Sequence, residues 1–258
     1  IPGTDLILSI DVAVQQAAWD AHGDRPGSVV AIDPAYGSVI ALVSKPAYNP
    51  TAFEGGISQQ ANNQILSASQ RPFFNRALNG SYEPGSTLKP FVGLAGLELG
   101  LVTPETRVFS NGKFYIEGYD RPYRDWKDTG HGWVNIRSAL EQSVNTYFYQ
   151  LAMNLGIDRM HDYLAQFGFG SPTGIDVPGE GKGLLPSREW KRAVHEQPWY
   201  QGETVIAGIG QGFNVVTPLQ LANAVSSLVN GGTRYSPRLV YAIKPTGVER
   251  AKRITAPV

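Results

Sequence analysis

Residues 81–91 read SYEPGSTLKPF, and within them Ser86 and Lys89 stand three apart with Pro90 directly behind. Proline lacks an N–H and its ring clashes with a preceding turn, so a helix that carries Pro90 must begin close to Ser86. In that frame the serine and lysine share a face and can touch, with the positive end of the helix dipole beneath both. The chemistry open to such a pair is nucleophilic. A serine hydroxyl attacks well once a base takes its proton, and a lysine is that base if its pKa falls from about 10.4 toward ~7 to 8. A fall of ~3 units is roughly 4 kcal/mol of bias against the ammonium, and burial at a helix mouth pushes in that direction. The same spacing also reads as an N-cap serine followed by a solvated first-turn lysine. S-x-x-K recurs as Ser110-Asn111-Gly112-Lys113, but an Asn-Gly turn does not hold both side chains on one helical face.

Other residues compete for attention. Ser143-Val144-Asn145 is the single S-x-N of the chain, and read alone it is a pair of polar residues facing solvent inside a helix. Asp120, Asp125, Asp128, His131 and Glu141 cluster in sequence, but a zinc centre needs four converging ligands and their spacing is not diagnostic. No metal is expected; Asp125 and His131 read as a loop hydrogen bond. Gly210-Gln211-Gly212 lacks the spacing and helix entry of a dinucleotide loop, so no cofactor is expected either. Asp33, Asp176 and the five tryptophans read as turn and core residues.

The elements that must position these residues follow from periodicity and turn chemistry. Residues 5–21 pass from a short strand pattern into a helix from about Val12 to Ala21. Residues 28–43 give two β-branched runs about Asp33-Pro34-Ala35-Tyr36-Gly37, a hairpin signal. Residues 44–80, rich in Asn, Gln, Ser and Gly, predict a long surface connection. A buried helix should follow Pro90, then irregular chain from Leu101 to Trp133 with a turn at Asn111-Gly112. One helix is predicted over Asn135–Leu155 with Gly156 as its stop, a short one over Met160–Phe167, and a Gly/Pro loop over 168–187. Thr217 as N-cap, Pro218 at the first helical position and Gly231-Gly232 past the end mark another helix, before a last strand near Arg238–Ile243. The order implies mixed α and β with a helical centre.

Bulk properties bound the function. At 258 residues and 42% hydrophobic the chain suits one large domain. With zero net charge it has no field to attract nucleic acid or an anionic membrane. The absence of cysteine excludes disulfides and thiolate metal sites. The chain opens on Ile1 and shows no signal segment or apolar run long enough to span a membrane, so it reads as a processed or excised piece.

With both motifs in their flanks, Tyr82-Glu83-Pro84-Gly85-Ser86-Thr87-Leu88-Lys89-Pro90 and Ser143-Val144-Asn145, the chain resembles the transpeptidase domain of penicillin-binding proteins. The stretch GIGQGFNVVTPLQLANAVSSLVNGG at 208–232, the early hairpin and the AYNP after it extend the resemblance from about residue 4 to residue 240. Arg124-Asp125-Trp126-Lys127, Gly130-His131-Gly132 and Arg188-Glu189-Trp190-Lys191 point to the elongation branch of class B. The resemblance implies an α+β fold of the penicillin-binding-protein and serine β-lactamase type, an antiparallel sheet packed against helices with a helical subdomain. It also implies that residues 1–258 are a single, incomplete transpeptidase domain.

For chemistry, the resemblance implies that Ser86 attacks the penultimate D-Ala carbonyl of a peptidoglycan stem peptide. Lys89 would be its base, Ser143 would relay a proton to the leaving amine, and Asn145 would hold Lys89 and the substrate amide. β-Lactams would acylate the same serine, partners would be other proteins of the cell-elongation complex, and the place would be the periplasmic face of the bacterial inner membrane, with an anchor outside this chain. A serine β-lactamase and a receptor module that lost its chemistry remain alternatives. The family's third motif, K-[ST]-G, is absent; in Lys244-Pro245-Thr246-Gly247 the inserted proline removes a ladder donor and shifts the alternation. The resemblance ties that motif to the substrate carboxylate and an oxyanion donor worth roughly 3 to 4 kcal/mol, so this chain is expected to acylate less well than the parent enzyme.

Overall fold

The computed structural model describes residues 3–248 and 250–254. The chain folds as two compact units, each assembled from separate stretches of sequence: Ile1–Ser81, Ser171–Gly183 and Thr217–Val258 in the first, Tyr82–Gly170 and Leu184–Val216 in the second.

The first unit is built on the expected hairpin, strands Gly27–Asp33 and Ser38–Lys45, antiparallel with Val30 opposite Leu42. Asp33 makes the turn, its carboxylate accepting from Ala35 N–H at 2.9 Å and its carbonyl from Gly37 N–H at 2.9 Å. Gly37 sits at φ +66°, and a Cβ there would also press on Tyr235. The helix Val12–His22 packs on this hairpin, where Gln15 exchanges two hydrogen bonds with the backbone of Leu42, at 3.0 and 2.8 Å. The helix Pro218–Val229 also lies against the hairpin, and Leu219, Val39, Leu78 and Ile175 form a buried cluster. Its start is the predicted one: Thr217 Oγ1 accepts from Gln220 N–H at 3.1 Å and Gln220 Oε1 from Thr217 N–H at 2.9 Å. Strands Asp5–Leu8, Val240–Lys244 and Lys252–Arg253 form a second antiparallel sheet, and the middle one ends at Pro245.

Residues 44–80 depart from the expected plain connection. They hold a 3₁₀ turn at Pro50–Phe53 and helices at Gln59–Ser67 and Arg76–Asn79. The polar residues that looked like loop are caps: Asn49, Ser58 and Asn75 each accept a first-turn N–H.

The second unit is mainly helical. The 3₁₀ turn Gly85–Leu88 runs into the helix Lys89–Glu98, which packs against the long helix Asn145–Gln166; the helix Gln201–Ala207 packs on that long helix as well. The irregular stretch 101–133 contains two small antiparallel pairs, Val108–Ser110 with Gly132–Val134 and Lys113–Phe114 with Tyr123–Arg124. Strands of two or three residues are too short to show alternation. The predicted single helix over 135–155 is interrupted at Gln142–Val144, giving Ile136–Glu141 and a helix that starts at Asn145; Gly156, at φ 72° and ψ 160°, is non-helical and stops that helix as expected, and the further helix beyond it runs to Gln166 across a kink. The tryptophans do not share a core role, since Trp199 is buried while Trp126 and Trp133 are exposed.

Close helix approach in this unit depends on Gly208. Its backbone is ordinary, but a Cβ would collide with Ala152 Cβ and sit 3.2 Å from the carbonyl of Phe148. Gly208→Ala is therefore expected to destabilise by about 1 to 3 kcal/mol despite alanine's better helix propensity. Ala152→Gly should recover part of that loss in the double variant, as read by urea denaturation.

Candidate active site

Local geometry explains why the S-x-x-K stretch folds as it does. Gly85, at φ +55°, turns the chain into the 3₁₀ segment, and Pro90 lies in the first turn of the following helix, where its missing N–H costs nothing. The segment before Ser86 is fixed by the glycine-rich stretch 208–216. Tyr82 and Val216 exchange backbone hydrogen bonds at 3.0 and 2.9 Å, Gly85 N–H donates to Gly210 O at 2.8 Å, and Gly212 N–H donates to Glu83 Oε1 at 2.9 Å. A Cβ on Gly210 would strike Gly85, which is the reason for a glycine there.

Ser86 is exposed while Lys89 is only 1% exposed. The Lys89 ammonium donates to Ser143 O at 2.8 Å, Asn145 Oδ1 at 2.7 Å and Ser143 Oγ at 3.1 Å, and Ser143 Oγ donates to Ser86 Oγ at 2.9 Å. The four residues singled out in the sequence thus meet in one hydrogen-bonded line. One detail differs from the expectation: Nζ is linked to Ser86 Oγ through Ser143, with no direct hydrogen bond between them among the described residues. Burial pushes the Lys89 pKa down to about 8, and the charge of Asp125 works against that shift.

Ser143 is not a helix-interior residue. It occupies the break between the helices Ile136–Glu141 and Asn145–Gln166 at φ +52°, in the left-handed region that serine seldom adopts. That turn aims both its carbonyl and its hydroxyl at Lys89. Asn145, the first residue of the next helix, adds its side chain from the same end.

The residue that sequence reasoning undervalued is Asp125. The N-cap Val144 has no side chain to cap the Asn145–Gln166 helix, and Asp125 reaches across 21 positions to do so. Its Oδ2 accepts from Thr146 N–H at 2.8 Å and Thr146 Oγ1 at 2.7 Å, and its Oδ1 from Trp126 N–H at 2.9 Å. Burial alone would raise its pKa, but the donors from Thr146, Asn145 and Trp126 together hold the carboxyl below its usual range. His131 Nε2 lies 3.5 Å from Asp125 Oδ1, longer than the loop hydrogen bond anticipated, and His131 Nδ1 lies 3.2 Å from Gln142 Oε1. The apolar valine before Asn145 was the one available sign that another residue must cap that helix. Among the described residues no group of three or more His, Cys, Asp or Glu is placed to hold a metal.

A family model, the penicillin binding protein transpeptidase domain, matches residues 27–256, and the chain belongs to that family. It is 42% identical over 240 residues to the peptidoglycan D,D-transpeptidase MrdA of Salmonella typhimurium, covering 93% of this chain and 38% of that relative's length. The crystal structure of Pseudomonas aeruginosa PBP2 in complex with WCK 5153 superposes with a TM-score of 0.90 at 46% identity, covering all of this chain and 59% of that one. PBP2 of Helicobacter pylori, in its complex with MreC, gives 0.86 at 32% identity, covering 96% of this chain and 46% of that one. The α+β architecture, with antiparallel sheet packed with helices in one unit and mainly helices in the other, is the fold of this family.

Two measurements probe the site's energetics. The Lys89 pKa is depressed, so the unfolded chain binds the extra proton between about pH 8 and pH 10.5, and stability should rise with pH across that window. The rise, isolated as the difference between wild type and Lys89→Met in denaturant melts, should total roughly 3 kcal/mol. Asp125→Asn, which keeps the shape but loses the charge and the acceptor facing Trp126 N–H, should destabilise by about 1 to 3 kcal/mol. That loss should vanish in acid, once the wild-type carboxyl is itself protonated.

Proposed function

We propose that this chain carries the acylation site of a peptidoglycan D,D-transpeptidase acting in cell elongation, and that its two compact units are parts of one transpeptidase domain. The observation that carries the reading is the line Ser86–Ser143–Lys89, with an exposed nucleophile at one end and a dry amine at the other. The family match across both units supports a single domain, and the likeness to MrdA and PBP2 proteins supports the elongation branch.

The hydrogen-bond inventory supports one route for the proton. A neutral amine has two N–H groups and one lone pair. Ser143 O and Asn145 Oδ1 can only accept, so they take both N–H groups, and the lone pair is left for the Ser143 hydroxyl. Ser143 then donates to Nζ and Ser86 donates to Ser143. As Ser86 Oγ attacks the penultimate D-Ala carbonyl, its proton passes to Ser143 and that of Ser143 to Lys89, with no heavy atom displaced. Reversing the line protonates the leaving D-Ala nitrogen. An amine of a neighbouring strand then takes the acyl group from Ser86. A β-lactam, which presents a similar carbonyl, would acylate Ser86 by the first half of this sequence and remain. Because the substrate lies outside the cytoplasmic membrane, the enzyme works on its periplasmic face, and the MreC complex of the Helicobacter pylori protein supports partners in the elongation assembly.

Incubation of the full chain with benzylpenicillin, followed by intact-mass and peptide analysis, should give one lasting adduct on Ser86 and none in Ser86→Ala. The acylation rate should climb with pH to a plateau around an apparent pKa of about 8, since only the neutral amine can accept the proton and the rate is lost below that value. Absence of any adduct from a form of the protein that also carries a K-[ST]-G segment would point to the receptor reading, and rapid turnover of the drug would point to a β-lactamase.

A further inference from the structure

The helix Gln201–Ala207 and the segment Tyr119–Tyr123 border a recess of about 670 Å³ within the second unit, inside the ~300 to 1,000 Å³ typical of small-molecule sites. Tyr119, Tyr123, Tyr200 and Phe213 give it aromatic walls, and Ile206 adds an aliphatic one. Three of these rings are held before any ligand arrives, so little ordering cost is left for binding. Tyr123 packs edge-on against Tyr149 at 5.8 Å, Phe213 edge-on against Trp190 at 5.0 Å, and Tyr200 carries the Lys191 ammonium 4.2 Å from its centroid. Gly202 makes the room, because a Cβ there would fall 2.2 Å from the Tyr123 hydroxyl. Charge narrows what can enter. Glu203 is the one charged residue that lines the recess among those described, and it is already matched. Lys191, buried on the helix Arg188–His195, pairs with one carboxylate oxygen, and Tyr200 N–H donates to the other at 2.8 Å. A charged ligand would lose its hydration here without gaining a partner. A wholly apolar ligand is matched no better, since it would cover the Tyr123 hydroxyl. Burial first, then the neighbouring Tyr119 and Glu203, push that phenol above its ordinary range, so it remains a donor at neutral pH.

We propose that this recess binds a neutral sugar ring, an N-acetylated hexose of a glycan strand. A sugar has apolar C–H faces and hydroxyl edges, which is the combination the recess asks for. Its faces lie on the aromatic walls, a hydroxyl accepts from Tyr123, and Ile206 suits the acetamido methyl. The inference rests on the transpeptidase reading above for the source of the sugar, the strand that bears the stem peptides, and adds where that strand is gripped. Position supports the link. Gly212 lines the recess and its N–H donates to Glu83 Oε1 at 2.9 Å, in the turn that leads to Ser86. A sugar held there keeps its strand beside the nucleophile without entering the line Ser86–Ser143–Lys89.

Saturation-transfer NMR on the full chain with chitotetraose, a neutral oligomer of N-acetylglucosamine, tests this. Ring and acetyl protons should both receive signal. Gly202→Ala, which sets a methyl against the Tyr123 hydroxyl, and Tyr119→Ala, which removes an exposed wall, should each weaken binding by roughly fivefold. The fully deacetylated tetramer, in mildly acidic buffer where its amines are protonated, should bind more weakly than chitotetraose by about fivefold or more. Tighter binding of that cationic tetramer would overturn the sugar assignment and make the recess a cation site. The absence of transfer at millimolar chitotetraose, or undiminished binding in both variants, would overturn the site itself. Chitotetraose binding by a protein that takes no penicillin adduct even with a K-[ST]-G segment present would instead overturn the transpeptidase reading and leave the recess standing.

Discussion

The structure of the second unit turns on a lysine amine held away from water without a carboxylate bonded to it. Lys89 is nearly inaccessible, and its hydrogen-bond partners are a carbonyl, an amide oxygen and a hydroxyl, all neutral. A carboxylate in that position would have held the ammonium charged through the physiological range. Neutral acceptors hold the group in place but leave desolvation to dominate its proton affinity. Asp125 is near enough to temper the effect and too engaged elsewhere to cancel it, because both its oxygens are taken by backbone and hydroxyl donors.

That arrangement is costly, and the surrounding architecture shows where the cost is offset. A serine in the left-handed region and a buried amine each work against folding. Around them, helices approach closely through Gly208, the glycine-rich 208–216 segment pairs with the strand-like residues before Ser86, and a distant carboxylate caps the helix that begins at Asn145. Each of these orders a segment next to the hydrogen-bonded line, the turn before Ser86 or the helix that begins at Asn145, without touching Ser86 itself.

What was legible in the sequence follows from how local the determinants are. Ser86, Lys89 and Pro90 lie within one turn, and Thr217, Pro218 and Gln220 within another, so their spacing carried their geometry. The hairpin around Asp33 and Gly37 was readable for the same reason. The break at Gln142–Val144 was not, because apolar residues keep helical spacing on both sides of it and a serine gives no turn signal of the kind glycine or proline would. The helices in 50–79 were hidden by their own caps, since Asn and Ser signal a helix start and a loop equally well. Asp125 drew notice as a possible metal ligand, and its capping role was invisible because the N–H it satisfies belongs to a residue far along the chain.

The break at Ser143 also resolves a conflict built into the S-x-x-K spacing. On the reading proposed above, the nucleophile has to be open to solvent and its neutral base has to be dry, yet three residues on one helical face set the two side by side. In this chain the 3₁₀ segment ends where the α-helix starts, leaving Ser86 exposed and Lys89 buried. Neither needs to move toward the other if a third group spans the boundary between wet and dry. A helix-interior serine would direct only its side chain, since its carbonyl would be used within the helix. At a left-handed break the carbonyl is free to hold the amine while the hydroxyl of the same residue reaches the nucleophile, so one unfavourable backbone conformation serves both contacts.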